Sequence, residues 1–307
     1  MGALFSDDGA GPGMAILVGV TVLWAFSFSL IGVYLSGQVD SSFAVLTRIT
    51  LALAVFAPMM RFRGIGRRPV LGLMAVGALE LGLMYFFFYH AFTLLSVPEV
   101  LLFTIFTPVY ITLIEDLLAR RFSPGYLATA LVAVAGAAVI RYTELGSDYW
   151  AGFAVVQGAN LCFAAGQVGY RRLAPRLPAD VPLHALFGWF FAGAWPLAAL
   201  LFLLIGDRTM LPTTGLQWGV LLWLGLMSSG LGYYAWNRGA VRVDAGTLAV
   251  MNNALIPAGL AVNLLIWNRD ADLARLAAGA VIIVAALVIN RLWVCRRASQ
   301  PGSASTG

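Results

Sequence analysis

Two stretches decide the fold when set side by side: GLMYFFFYHAFTLLSVPEVLLFTIFTP, from Gly82 to Pro108, and LGYYAWNRGAVRVDAGTLAVMNNALIP, from Leu231 to Pro257. A shift of 149 residues carries Tyr85 onto Tyr234, Ala91 onto Ala240 and Pro108 onto Pro257. Each stretch joins two long apolar runs through a short polar link. Earlier in each half a shift of 138 pairs Pro58 with Pro196 and brings Leu23-Trp24 onto Leu161-Cys162. The difference of 11 residues fits inside the longer link around Gly206 to Gly215. The chain is therefore read as two copies of one unit.

Outward from these stretches the apolar runs continue along the whole chain. A helix needs about 20 mainly apolar residues to cross the hydrocarbon core. Runs of that kind fall at 14–35, 43–60, 70–93, 97–119, 124–141, 150–171, 184–206, 216–238, 246–267 and 275–294. Pro98 suits the first turn of the fourth run, which separates it from the third across Leu94 to Ser96. The expected fold is an all-α integral membrane protein of ten transmembrane helices. Its parts are a tail at 1–13, a first five-helix repeat at 14–141, a second at 149–294 and a tail at 295–307. Five is odd, so the second copy must enter the membrane from the opposite face, giving the 5+5 inverted repeat seen in many secondary transporters.

Composition agrees and removes other classes. Of 307 residues 61% are hydrophobic and only 11% charged, with a mean hydropathy of +0.87; this is too little polar material to cover a water-soluble globule. All 19 basic residues are arginine. They sit mostly in short turns, with no basic stripe interleaved with aromatics, which excludes nucleic acid as a partner. The links at 61–69, 120–123, 171–183 and 238–245, with the tail from Arg291, hold 14 of them, whereas the opposite face has Arg141, Arg208, Arg269 and Arg275. Arginine excess marks the cytoplasmic side, so both termini are expected there. The N-terminal stretch carries Asp7 and Asp8 and no arginine, unlike a cleavable signal. Cys162 and Cys295, the only cysteines, lie at different depths and fit neither a disulfide nor a metal site.

Several polar residues inside the spans are not explained by hydrophobicity. Glu80 is mid-span, where an ionised group facing lipid costs roughly 2.5 to 3.5 kcal/mol on insertion scales. It must face a cavity or be neutral; the readings are a counter-charge for a substrate ammonium, a proton carrier, or a protonated carboxyl in an interhelical hydrogen bond. Gln157, Asn160, Ala164 and Gln167 share one helical face. Ser229, Tyr233 and Trp236 or Asn237 share another, and Asn252-Asn253 precede Pro257. Such amides also serve as interhelical glue. Trp24 with Ser27, Met84, Tyr85 and Phe88, and Phe103 with Thr104 and Thr107 complete a candidate substrate pocket. Gly82, Pro108, Gly232 and Pro257 are candidate bending points. Tyr149, Trp150, Trp218, Trp267 and Trp293 read as interface anchors. His90 and His184 stand at the ends of different spans, so no metal cluster is drawn, and no motif calls for a cofactor.

Leu23-Trp24-Ala25, the intramembrane Arg48, and the helix-interior Pro108 and Pro257, in this order over ten spans, resemble the drug/metabolite transporter superfamily in its EamA-type exporter branch. The run Tyr234-Ala235-Trp236-Asn237-Arg238-Gly239, followed by Thr247-Leu248-Ala249-Val250-Met251, is similar to bacterial aromatic amino acid exporters. The first half departs from the pattern by carrying Arg121 where an acid is common; the second keeps Asp270. The resemblance implies a central cavity lined by spans one, three, four, six, eight and nine, in a carrier of the bacterial inner membrane. The expected function is export of aromatic or large neutral amino acids by alternating access, with no catalysis. Alternatives are another small metabolite or drug-like cargo, or an intramembrane lipid-modifying enzyme, for which the paired acids or histidine cluster are missing. The expected partners are the small-molecule substrate and the lipid bilayer.

Overall fold

The computed structural model describes residues 7–120 and 147–267 and the single positions 274, 278, 281 and 285. The expected fifth span, nearly all of the tenth, and Arg121, Asp270, Trp293 and Cys295 lie outside the described residues. Among the described residues all regular structure is helical. We label the helices α1 (Asp7–Tyr34), α2 (Ser41–Phe56), α3 (Arg67–Leu94), α4 (Val97–Ala119), α5 (Ser147–Leu173) and α6 (Leu183–Ile205). α7 runs through Gly215–Trp223, Leu224–Gly232 and Tyr233–Ala240, and α8 is Ala245–Ile266. The first six are long and apolar enough to cross a membrane. The protein is a multi-span, all-helical membrane protein.

Local chemistry sets the ends. Asp40 accepts from the Phe43 amide at 2.8 Å to start α2, and Asp244 accepts from the Thr247 amide at 2.9 Å to start α8. Thr214 and Gln217 satisfy one another's backbone amides in a capping box at the start of α7. Both α3 and α7 contain a π-helical stretch, Ala78–Leu83 and Leu224–Gly232. The shift of 149 residues places the first inside the second, so the two halves widen at the same point.

The second half is inverted relative to the first, and loop hydrogen bonds show it. The amides of Asp207 and Asp40 meet Asp40 Oδ2 at 3.1 Å and the Met210 carbonyl at 2.7 Å, so the end of α6 lies at the start of α2. At the other face the Arg61 amide donates to the Ala185 carbonyl at 3.0 Å, and Trp189 Nε1 donates to the Arg61 carbonyl at 3.1 Å. α2 and its counterpart α6 are antiparallel. Packing obeys the same exchange: α1 rests on α7 and α8, as α5 rests on α3 and α4. Likewise α2 packs on α7 as α6 packs on α3, while the α2–α6 and α4–α8 pairs map onto themselves.

Small residues permit the closest of these contacts. A Cβ on Gly77 would collide with the Phe190 carbonyl oxygen, and one on Gly193 with that of Met74, so the α3 and α6 backbones touch. Gly193→Val should therefore cost at least about 1–3 kcal/mol, the ordinary price of overpacking. It should lower the thermal unfolding midpoint of the purified protein, whereas Gly219→Ala, where a Cβ meets nothing within 4 Å, should not. An unshifted midpoint for Gly193→Val would refute the contact.

Candidate functional site

A cavity of about 640 Å³, counting its mouth, lies between the two sets of helices. α1 supplies Trp24, Ser27, Phe28 and Ile31, which the 3.6-residue period puts on one face. Met84, Tyr85 and Phe88 of α3 and Thr104 and Thr107 of α4 form one side. Ala159, Asn160 and Phe163 of α5, Ser228 and Tyr233 of α7, and Asn252 and Leu255 of α8 form the other. α2 contributes one residue, Arg48.

Arg48 is the dominant charge. Its side chain is 1% exposed and every partner it has is a hydroxyl. Nε donates to Ser229 Oγ at 2.9 Å, and Nη1 to Tyr89 Oη at 2.9 Å. Nη2 donates to Tyr85 Oη at 2.6 Å and to Ser228 Oγ at 3.2 Å. The guanidinium also lies 4.3 Å from the Tyr85 ring centre and 5.5 Å from that of Tyr89, an arrangement that spreads part of the charge onto aromatic faces. Among the described residues no aspartate or glutamate lines the cavity. A buried cation with neutral partners is expensive, and it becomes cheaper when an anion arrives to form charge-assisted hydrogen bonds.

The remaining walls combine amides and rings. Asn160 donates to the Phe103 carbonyl at 2.7 Å and to Gln157 Oε1 at 3.2 Å, and accepts from Thr107 at 3.2 Å. Asn252 and Gln167 exchange hydrogen bonds of 3.0 and 3.1 Å. The wide turn of α7 leaves the Ser228 carbonyl accessible to Trp24 Nε1 at 3.0 Å. Trp24 packs 4.9 Å from Trp236 and 5.0 Å from Tyr233, and Phe28 meets Phe88 edge-on at 5.1 Å. On α1 and α3 the lining residues run from mid-helix toward the arginine-poor face. The lining residues Trp24 and Asn252 are in turn backed by Trp236 and Gln167.

The comparisons with known proteins agree with this geometry. The EamA-like transporter family matches residues 11–142. The chain is 56% identical over 279 residues to a probable biotin transporter of Pseudomonas aeruginosa, covering 91% of this chain and 98% of that protein. It is 48% identical over 288 residues to the biotin transporter of Escherichia coli, covering 94% and 96%. The chain belongs to the EamA-like transporter family. An aromatic amino acid exporter of Ancylobacter novellus is 25% identical over 291 residues, covering 92% and 98%. A crystal structure at 21% identity superposes with a TM-score of 0.71, covering 96% of this chain and 100% of its own. This EamA transporter is thus a membrane transporter and not an enzyme. Its relatives at 48–56% identity are named for biotin, while amino acid export belongs to the relative at 25%.

Of the residues singled out in the sequence, Trp24, Ser27, Met84, Tyr85, Asn160, Tyr233 and Asn252 line the transporter's cavity. Others stand one layer back. Ser229 holds Arg48 and Tyr85, Gln157 and the Phe103 carbonyl hold Asn160, and Trp236 stacks on Trp24. Glu80 and Asn253 are buried away from the cavity. Among the bending candidates, Gly82 lies on the π turn of α3 against Ala194 and Leu197. Gly232 lies against Trp24, Pro108 follows a tight turn at Thr104–Phe106, and Pro257 is inside α8. Arg48 also lines the cavity; in sequence it stands out only as an arginine inside an apolar span, which is a marker of intramembrane function in general. Phe88, Thr104 and Thr107, also singled out in the sequence, line it too; Phe28 and Phe163 carry no such signal, because a lining phenylalanine and a core one look alike in sequence.

Tyr85→Phe removes the hydroxyl that serves both Arg48 and Ser229. It should cost about 1–3 kcal/mol, because a buried donor is left unpaired. A lowered unfolding midpoint in detergent checks this; an unaltered one would show that the network does not hold Arg48.

Proposed function

We propose that this transporter carries biotin across the bacterial inner membrane by alternating access, binding it by its carboxylate at Arg48. One observation supports this reading above the rest: among the described residues the cavity lining contains a cation and no acid. A zwitterionic amino acid needs a partner for its ammonium as well as its carboxylate, and the lining offers only the second. Biotin brings one carboxylate on a flexible alkyl chain, an apolar fused ring and a neutral ureido group. The carboxylate would meet Arg48, Tyr85 and Ser228. The ring would pack among Trp24, Phe163 and Tyr233, and the ureido edge would face the amides of Asn160 and Asn252. The names of the relatives at 48–56% identity support the same cargo.

Orientation follows from charge. The arginine-rich links are assigned to the cytoplasm together with both termini, so the cavity extends toward the periplasmic face. Transport then requires the α3 and α7 turns to re-pack, with the pseudo-symmetric halves exchanging roles.

The test is counterflow of labelled biotin in liposomes containing the purified protein, challenged with unlabelled biotin, biotin methyl ester and aromatic amino acids. Biotin should exchange, while the ester and the amino acids should compete at least tenfold less well, about 1.4 kcal/mol. Arg48→Gln should raise the half-saturating biotin concentration at least tenfold. Exchange of tryptophan or phenylalanine without exchange of biotin would overturn the assignment.

A further inference from the structure

Away from the cavity, on the arginine-rich side of Tyr85, the membrane interior holds a second polar group that the cargo does not touch. Glu80 is 0% exposed and sits on the π turn of α3. Asn237 Nδ2 of α7 reaches its Oε1 at 3.5 Å, and the same amide donates to the Tyr233 carbonyl at 3.0 Å. The other carboxyl oxygen, Oε2, has no hydrogen-bond partner, nor do Asn237 Oδ1 and the neighbouring Trp236 Nε1. On the α5 side Gly166 leaves just enough room, since a Cβ there would collide with the Glu80 side chain.

The surroundings provide no counter-charge. Tyr170 of α5 and Tyr233 of α7 are the titratable side chains within electrostatic reach of the carboxyl. Against the same turn α6 presents Ala194 and Leu197, and Arg48, the charged residue of α2, is engaged by four hydroxyls. Among the described residues no arginine forms an ion pair with Glu80. Two orphaned polar atoms, Glu80 Oε2 and Asn237 Oδ1, on a pair of side chains that meet across α3 and α7 are more than glue, because interhelical glue is satisfied.

We propose that Glu80 is a reversible proton-binding site and that this carrier moves a proton together with its anionic cargo. The proposal rests on the carboxylate reading of the cargo. An anion and a proton crossing together carry no net charge, so a pH gradient drives the cycle and voltage alone does not. In the protonated form Oε2–H becomes a donor and the site is neutral. In the ionised form the group needs water, which the closed crossing excludes. Protonation therefore favours the crossing as it stands, and loss of the proton favours its opening. The mechanical link is short. Glu80 precedes the lining residues Met84 and Tyr85 by about one turn, and Asn237 follows Tyr233 by one turn, so the crossing is built on the two helices that hold both the cavity wall and Arg48's hydroxyls.

Two measurements in liposomes test it. Without any cargo, infrared spectroscopy should show a protonated-carboxyl stretch that disappears as pH rises and that is absent in Glu80→Gln. A band that does not titrate, or that survives the substitution, overturns the site. With biotin, an imposed pH gradient should concentrate label in wild-type vesicles and acidify the receiving side. Glu80→Gln should lose this accumulation relative to exchange, and Glu80→Asp should recover part of it. Exchange of biotin with no gradient-driven accumulation overturns coupling and leaves the cargo intact. A titrating band and proton movement with a different carboxylate, without biotin exchange, would uphold the proton site and reject biotin.

Discussion

A single guanidinium in the middle of the bilayer constrains everything around it. Arg48 lies on α2, held by two tyrosine hydroxyls of α3 and two serine hydroxyls of α7, and among the described residues no carboxylate pairs with it. Placing such a charge in a low-dielectric interior requires donors, acceptors and aromatic faces from several helices at once. The helices that supply them are the pseudo-symmetric pair α3 and α7, and both widen into π turns beside the residues that do so. The arrangement leaves unused capacity for an anion. On the proposed reading, the feature that is costly to fold is also the feature that would select cargo, a common association of intramembrane charge with function.

The rest of the cavity is ordinary chemistry placed by the inverted repeat. Rings from α1, α3, α5 and α7 supply burial and stacking, and amides from α5 and α8 supply neutral hydrogen bonding. Glycines let α3 and α6 meet backbone to backbone, fixing the depth at which the α3 turn presents Tyr85. Among the described residues the main helix pairs are related by exchange, α1 on α7 and α8 matching α5 on α3 and α4, and α2 on α7 matching α6 on α3. Such reciprocity is what alternating access requires of a scaffold.

Much of the fold was legible in the sequence because membrane crossing leaves a strong imprint: runs of about 20 apolar residues, arginines in the turns, and prolines repeated at 149 residues. The inversion followed from parity and is visible in the pairing of Asp40 with Asp207 and of Arg61 with Ala185. The site was read less completely. Polar residues on a helical face, such as Asn160, announce an interior, and Asn160 does line the cavity. Arg48 was visible as an intramembrane charge, yet its role depends on Tyr89 and Ser228, which lie 41 and 180 residues away, and no local pattern marks those partners. Glu80 was conspicuous for its charge, but depth alone does not distinguish a residue lining the cavity from one at a crossing beside it. Cargo was the least legible, since aromatic walls suit an amino acid and a fused ring equally; the proposed choice between them rests on the sign of the uncompensated charge.

The central claim is that the cargo's carboxylate rests on Arg48. Solving the structure of the biotin-loaded carrier by electron cryomicroscopy, in lipid, measures it directly. The account predicts the carboxylate within hydrogen-bonding distance of the Arg48 guanidinium and the Tyr85 hydroxyl, with the ring against Trp24. Density for biotin with its carboxylate elsewhere, and Arg48 still bound only to its four hydroxyls, would contradict it.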